Sequence, residues 1–125
     1  MFSSDRHFFL VGYQASHGLL LFRSPKGRDG ATTRIDVLFH DVRAIELRAW
    51  TDGLTIEEVP PETIADTPSR PTALIEPGNR VYVLRGGGWE GFVVGGIVRT
   101  AEDELEIGEP SQLIGASDPQ GIGIR

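Results

Sequence analysis

The chain is predicted to be all-β, an antiparallel sandwich or partly open barrel of seven to nine short strands with at most one short helical turn. Three observations carry that prediction. Glycine and proline occupy sixteen and eight of the 125 positions, a spacing that favours short strands between turns. Several helix formers are scarce, with one Met, one Lys and three Gln. The stretch 33–50, TRIDVLFHDVRAIELRAW, alternates with period two. Ile35, Val37 and Phe39 fall on one parity and Arg34, Asp36 and His40 on the other, with Leu38 the exception, as in a half-buried strand. At Asp41 and Val42 the phase slips, then resumes through Ile45, Leu47 and Ala49. Such a slip marks either one bulged strand or two strands joined at residues 40–43.

The remaining elements follow in order. Residues 8–13 and 19–23 read as strands around a hairpin loop in which Gly18 supplies positive φ. Leu19, Leu20, Leu21 and Phe22 are apolar on both parities, the mark of a strand covered on both faces. Residues 24–30 are a loop by composition. Thr51, Asp52 and Gly53 read as a tight turn, and 54–59 as a short strand with Leu54 and Ile56 on one face. Pro60 and Pro61 end it, because proline cannot donate to a ladder. Residues 60–79 hold five of the eight prolines. They are expected to form a crossover past one end of the sheet, with a helical turn near 62–65, dividing an N-terminal from a C-terminal sheet portion inside a single domain, 1–125.

Residues 80–85 are a strand, 86–88 its turn, and 89–100 a long return strand. Gly95 and Gly96 within it point to a bulge or bend where a neighbouring backbone comes close. Residues 101–104 read as another turn and 105–107 as a last short strand. Leu113 and Ile114 are expected to dock before a weakly ordered tail, 115–125.

Charge and composition exclude several functions. The net charge is −6, against a role centred on nucleic acid, which requires a basic surface. The balance is uneven, +2 over residues 1–50 and −8 over 51–125. Arg23, Lys26, Arg28 and Arg34 form the one basic cluster, read as a solvated loop. Without cysteine there is no disulfide framework, thiolate metal site or cysteine nucleophile. No stretch is long and apolar enough for a membrane helix, and no signal-peptide pattern opens the chain. A cytoplasmic location, no membrane association and no cofactor are expected.

No motif assigns a reaction. Gly86-x-Gly88-x-x-Gly91 fits a phosphate-binding G-x-G-x-x-G, but a dinucleotide fold requires a helix next, and Phe92, Val93 and Val94 are strand formers. A kinase-type loop would need a downstream lysine, and none follows Gly91. His17, His40 and Asp41 are the obvious trio for zinc, without diagnostic spacing. Ser16 beside His17 lacks a nucleophile elbow. Glu102, Asp103, Glu104, Glu106 and Glu109 lack the alternating pattern of a calcium loop and read as a solvated turn. Trp50 and Trp89 flank turns, where aromatics either lid a core or anchor a partner.

The segments SHGLLLFRSPK (16–26), TRIDVLFHDVRAIELR (33–48) and DGLTI (52–56), echoed by EPSQL (109–113), resemble a group of small uncharacterised bacterial proteins over about the first sixty residues. An arginine-to-lysine ratio of eleven to one suits a GC-rich bacterial genome. The resemblance implies no activity. The expected function is therefore a non-enzymatic interaction module, of accessory or immunity type, that binds another protein through His40, Asp41, Trp50 and Trp89. Self-association into a homo-oligomer is compatible with it. The alternatives are a small-ligand-binding β-barrel and an enzyme whose site is assembled by the fold.

Overall fold

The computed structural model describes residues 1–63 and 77–114. They form one antiparallel sheet of β1 (Phe2–Gln14), β2 (Leu19–Ser24), β3 (Arg34–Phe39), β4 (Ala44–Glu46), β5 (Trp50–Val59), β6 (Arg80–Gly86), β7 (Trp89–Gly95) and β8 (Val98–Asp103). Two 3-10 turns, Arg28–Gly30 and Pro61–Thr63, are the helical elements among the described residues. The second falls where a helical turn near 62–65 is expected. Residues 64 and 65 of that expectation, and the tail 115–125, lie outside the described residues.

The strand order is β4-β7-β6-β5-β1-β2-β3-β8, and the sheet curls upon itself. Phe39 on β3 meets Tyr82 on β6 edge-on with ring centroids 5.6 Å apart, although β5, β1 and β2 lie between those strands in the sheet. Inward side chains including Phe8, Leu20, Phe22, Val37, Leu54 and Ile56 join them in one buried core. The ladder is not closed, because β4 and β8 are its terminal strands. Its ends nevertheless meet, since β4 follows β3 and β8 follows β7. Phe39 pairs with Val98 on one side of the junction and Ala44 with Val94 on the other. Four residues intervene on one chain and three on the other, a one-residue bulge.

That bulge is the phase slip seen in the sequence. Asp41 takes φ 54°, a left-handed conformation that Asp tolerates better than most residues. The junction is bonded across: His40 N donates to Ile97 O, Gly96 N to His40 O and Arg43 N to Val94 O, each at 2.8 Å. Gly95 is the expected point of close approach, where an added Cβ would lie 3.1 Å from His40 O. The result is a partly open barrel.

Several expectations require correction. Residues 51–53 are not a turn. β5 runs through them, and β1 carries a bulge opposite Gly53, between the pairs Ser4–Leu54 and His7–Asp52. Residues 101–103 continue β8, and no strand forms at 105–107. The expected crossover 60–79, of which residues 64–76 lie outside the described residues, joins β5 to β6, antiparallel neighbours with Val59 opposite Val81. It divides no sheet portions, because β5 pairs with both β1 and β6.

The largest correction concerns β3, which is buried on both faces. Its outer side chains Arg34, Asp36 and Leu38 are all 0 % exposed, because residues 104–114 lie across the outside of β2 and β3. Leu113 and Ile114 pack on Leu21 and Leu38. Arg23 donates from Nε and Nη2 to the Asp36 carboxylate at 2.7 and 3.1 Å, and from Nη1 to Ile107 O at 2.7 Å. Arg34 donates to the carbonyls of Glu106, Glu109 and Pro110 at 3.0, 2.6 and 3.2 Å. Two supposedly solvated arginines thus clamp the C-terminal strap by its backbone. Buried charges survive only with such partners.

Candidate partner-binding surface

Trp50 opens β5 opposite Phe9 of β1. Its neighbour Thr51 is buried, so strand alternation turns Trp50 outward, where it is 52 % exposed. The side chain is held in place. The His7 ring stacks on it at 5.8 Å and 25°, and the Arg48 guanidinium carbon lies 5.7 Å from its ring centroid. His7 Nδ1 lies 2.8 Å from Asp52 Oδ1, which fixes the imidazole plane against the indole.

His7 also faces a polar cleft of about 310 Å³ between the β1 bulge and the β2–β3 loop, lined by Asp5, Arg6, Ser24, Arg28, Asp29 and Ala31. Arg6 supports the cleft wall, donating to Ser24 Oγ and Thr33 Oγ1, each at 3.0 Å. An ordered aromatic knob therefore stands beside a cleft carrying charges of both signs, with His7 shared between them. A second cleft, about 480 Å³, opens where β8 diverges from β6. Phe2, Ile56, Tyr82 and Val98 line it, with Glu58, Arg80 and Thr100 also on its walls.

The four residues expected to bind a partner do not share one face. Trp89 Nε1 donates to Thr51 Oγ1 at 2.7 Å, and Thr51 Oγ1 to Gly53 O at 2.8 Å. Trp89 packs against the core and serves as its lid. His40 and Asp41 belong to the barrel junction. The His40 Nε2 is buried and has no hydrogen-bond partner among the described residues. Burial, and secondarily the Arg99 charge, hold its imidazole below the usual histidine range. Asp41 is exposed and 3.3 Å from Arg43 Nε. Trp50 alone of the four presents a large apolar surface to solvent.

No family model, curated protein or solved structure matches this chain.

Among the described residues no three His, Cys, Asp or Glu side chains gather as a metal would require. His17 lies 2.9 Å from Gln14 Oε1 through Nδ1. Two members of the basic cluster pair with the acidic cluster, while Arg23 pairs with Asp36 and Arg28 lies by Asp29. Arg34 Nε lies 3.2 Å from Asp103 Oδ1, close enough for attraction but not aligned to donate, and Lys26 Nζ lies 2.6 Å from Glu106. The glycine motif has a steric basis. A Cβ at Gly86 would strike Thr51 and Trp89, one at Gly91 would strike Glu46 O, and Gly88 turns the hairpin at φ 79°. His7 is not legible in the sequence, because only the β1–β5 register brings it to Trp50; Arg48 and Asp52 stand two residues to either side of Trp50, where period-two alternation is the signal for them.

Proposed function

We propose that the protein is a non-enzymatic interaction module that binds another protein through the Trp50 face. The single observation behind this reading is a half-exposed tryptophan immobilised by His7, Asp52 and Arg48 beside a charged cleft. Tryptophan and arginine dominate the binding energy of protein interfaces, and an anchor already held in place loses little entropy on docking. The cleft beside it offers both charge signs to the rim of a partner, which sets specificity and orientation. No helix among the described residues is long and apolar enough to cross a membrane.

The test is affinity capture from the source cell with wild-type, Trp50→Ala and Glu57→Ala chains. The reading expects one stoichiometric partner retained by the wild type and Glu57→Ala and lost with Trp50→Ala. Equal retention by all three would refute it. A second reading, a small-ligand site, is favoured by the apolar cleft between β6 and β8. It expects anilinonaphthalene sulfonate to bind at one site and Thr100→Trp, which fills the cleft, to abolish that binding.

A further inference from the structure

Among the described strands, β8 is terminal and pairs only with β3. Among the described residues, no backbone hydrogen bond reaches its other edge. It has no proline and no bulge between Val98 and Asp103, two of the devices that keep edge strands from pairing. At its start Ile97 is 47 % exposed. We infer that this edge pairs antiparallel with the β8 edge of a second copy of the chain, about a two-fold axis at Ala101.

Charge and register select this pairing. The pairing with β3 turns Arg99, Ala101 and Asp103 outward, opposite Leu38, Asp36 and Arg34, and turns Val98, Thr100 and Glu102 inward. A two-fold axis normal to the sheet places residues of the same face opposite one another, so one residue of β8 must face its own copy. An axis at Arg99, Glu102 or Asp103 sets like charges face to face, which is destabilising, and one at Val98 sets Arg99 against the partner's Ile97. An axis at Thr100 sets Arg99 against Ala101 and Val98 against Glu102, leaving every charge without a counterpart. An axis at Ala101 sets Arg99 against the partner's Asp103 and Thr100 against the partner's Glu102, each twice by symmetry.

Asp103 is suited to this double role. Its side chain is 13 % exposed and already neutralises Arg34, so the partner's Arg99 would extend a chain of alternating charges from Asp36 outward. Val98 and Thr100 line the apolar cleft, so a second copy at this edge lies along the cleft's open side. The Trp50 face lies on β5 and β1, away from the seam, and remains available in the dimer.

The chain has no cysteine, so Ala101→Cys introduces a single thiol. Sedimentation and light scattering of the full chain should give twice the 13.6 kDa chain mass. Arg99→Glu, which opposes the partner's Asp103, should shift the protein to monomer, and Arg99→Lys should leave it dimeric. Ala101→Cys should cross-link across the axis with a short bismaleimide, far faster than Thr100→Cys or Glu102→Cys. A folded wild-type monomer at all concentrations would overturn the inference and leave the edge to an extended segment of another protein. So would a dimer that cross-links equally at the three positions or ignores Arg99→Glu.

Discussion

Asp36 shows how a single side chain can be misplaced by a pattern that is otherwise sound. Its parity in 33–39 assigns it correctly to the face opposite Val37, but nothing local records that the strap later covers that face. Asp36 accepts both Arg23 bonds and lies 3.7 Å from Arg34. Asp36→Ala leaves the buried Arg23 guanidinium without its carboxylate, while Arg34 keeps Asp103, and should cost about 3–5 kcal/mol in urea unfolding. Phe39→Ala, on the inward face, should cost a similar ~3–5 kcal/mol through transfer and cavity terms. His40 gives a pH signature. Its folded pKa is depressed, so above the ordinary histidine value both states are neutral and it contributes no slope. Below that value the unfolded chain takes up a proton that the folded chain resists, and stability falls. The urea midpoint should therefore drop between pH 7.5 and 5.5 more steeply in the wild type than in His40→Gln. Equal slopes would show that the imidazole is not desolvated at the junction.

At the scale of elements, the strands with apolar runs were legible and the interruptions were read with uneven success. Alternation located β3, both-parity burial located β2, and the glycine pair in 89–100 located the close approach opposite the bulge at the barrel junction. The errors fell where a bulge resembles a turn. Gly53, with φ 79°, sits inside β5 because β1 supplies the extra residue opposite it, and that register is non-local. The strap reads as a short strand and solvated acids, because its anchoring arginines are 72 to 84 residues earlier. Two variants separate these elements. Gly91→Ala drives a methyl into Glu46 O, and overpacking of this kind costs about 1–3 kcal/mol; hydrogen exchange should show β4 losing protection while β1 and β2 keep theirs. Arg34→Ala releases the carbonyls of Glu106, Glu109 and Pro110, so limited proteolysis should cut within 104–114 before any other described segment.

For the whole molecule, the eight strands behave as six staves, because β3 with β4 and β7 with β8 each act as one bulged strand. The chain is then two three-stave meanders, β1 to β4 and β5 to β8, joined by the pairing of β1 with β5 and of the two bulged staves with each other. No repeat is visible in the residues, since side-chain identity differs while topology is shared. The same separation explains why the binding surface was only partly legible. Trp50 and Trp89 are alike in sequence context, each at a strand end, and only the curl of the sheet makes one a lid and the other a knob. Trp89→Ala should destabilise by ~3–5 kcal/mol, whereas Trp50→Ala should stay within about 1 kcal/mol of the wild type. The most direct test of the interaction reading is photo-cross-linking in the source cell, with benzoylphenylalanine placed at Arg48 beside Trp50 and, as a control, at Glu57 further along β5. The account predicts one discrete cross-linked protein from position 48 and none from position 57. Equal yields at both positions, or no adduct at 48 from a folded chain, would contradict it.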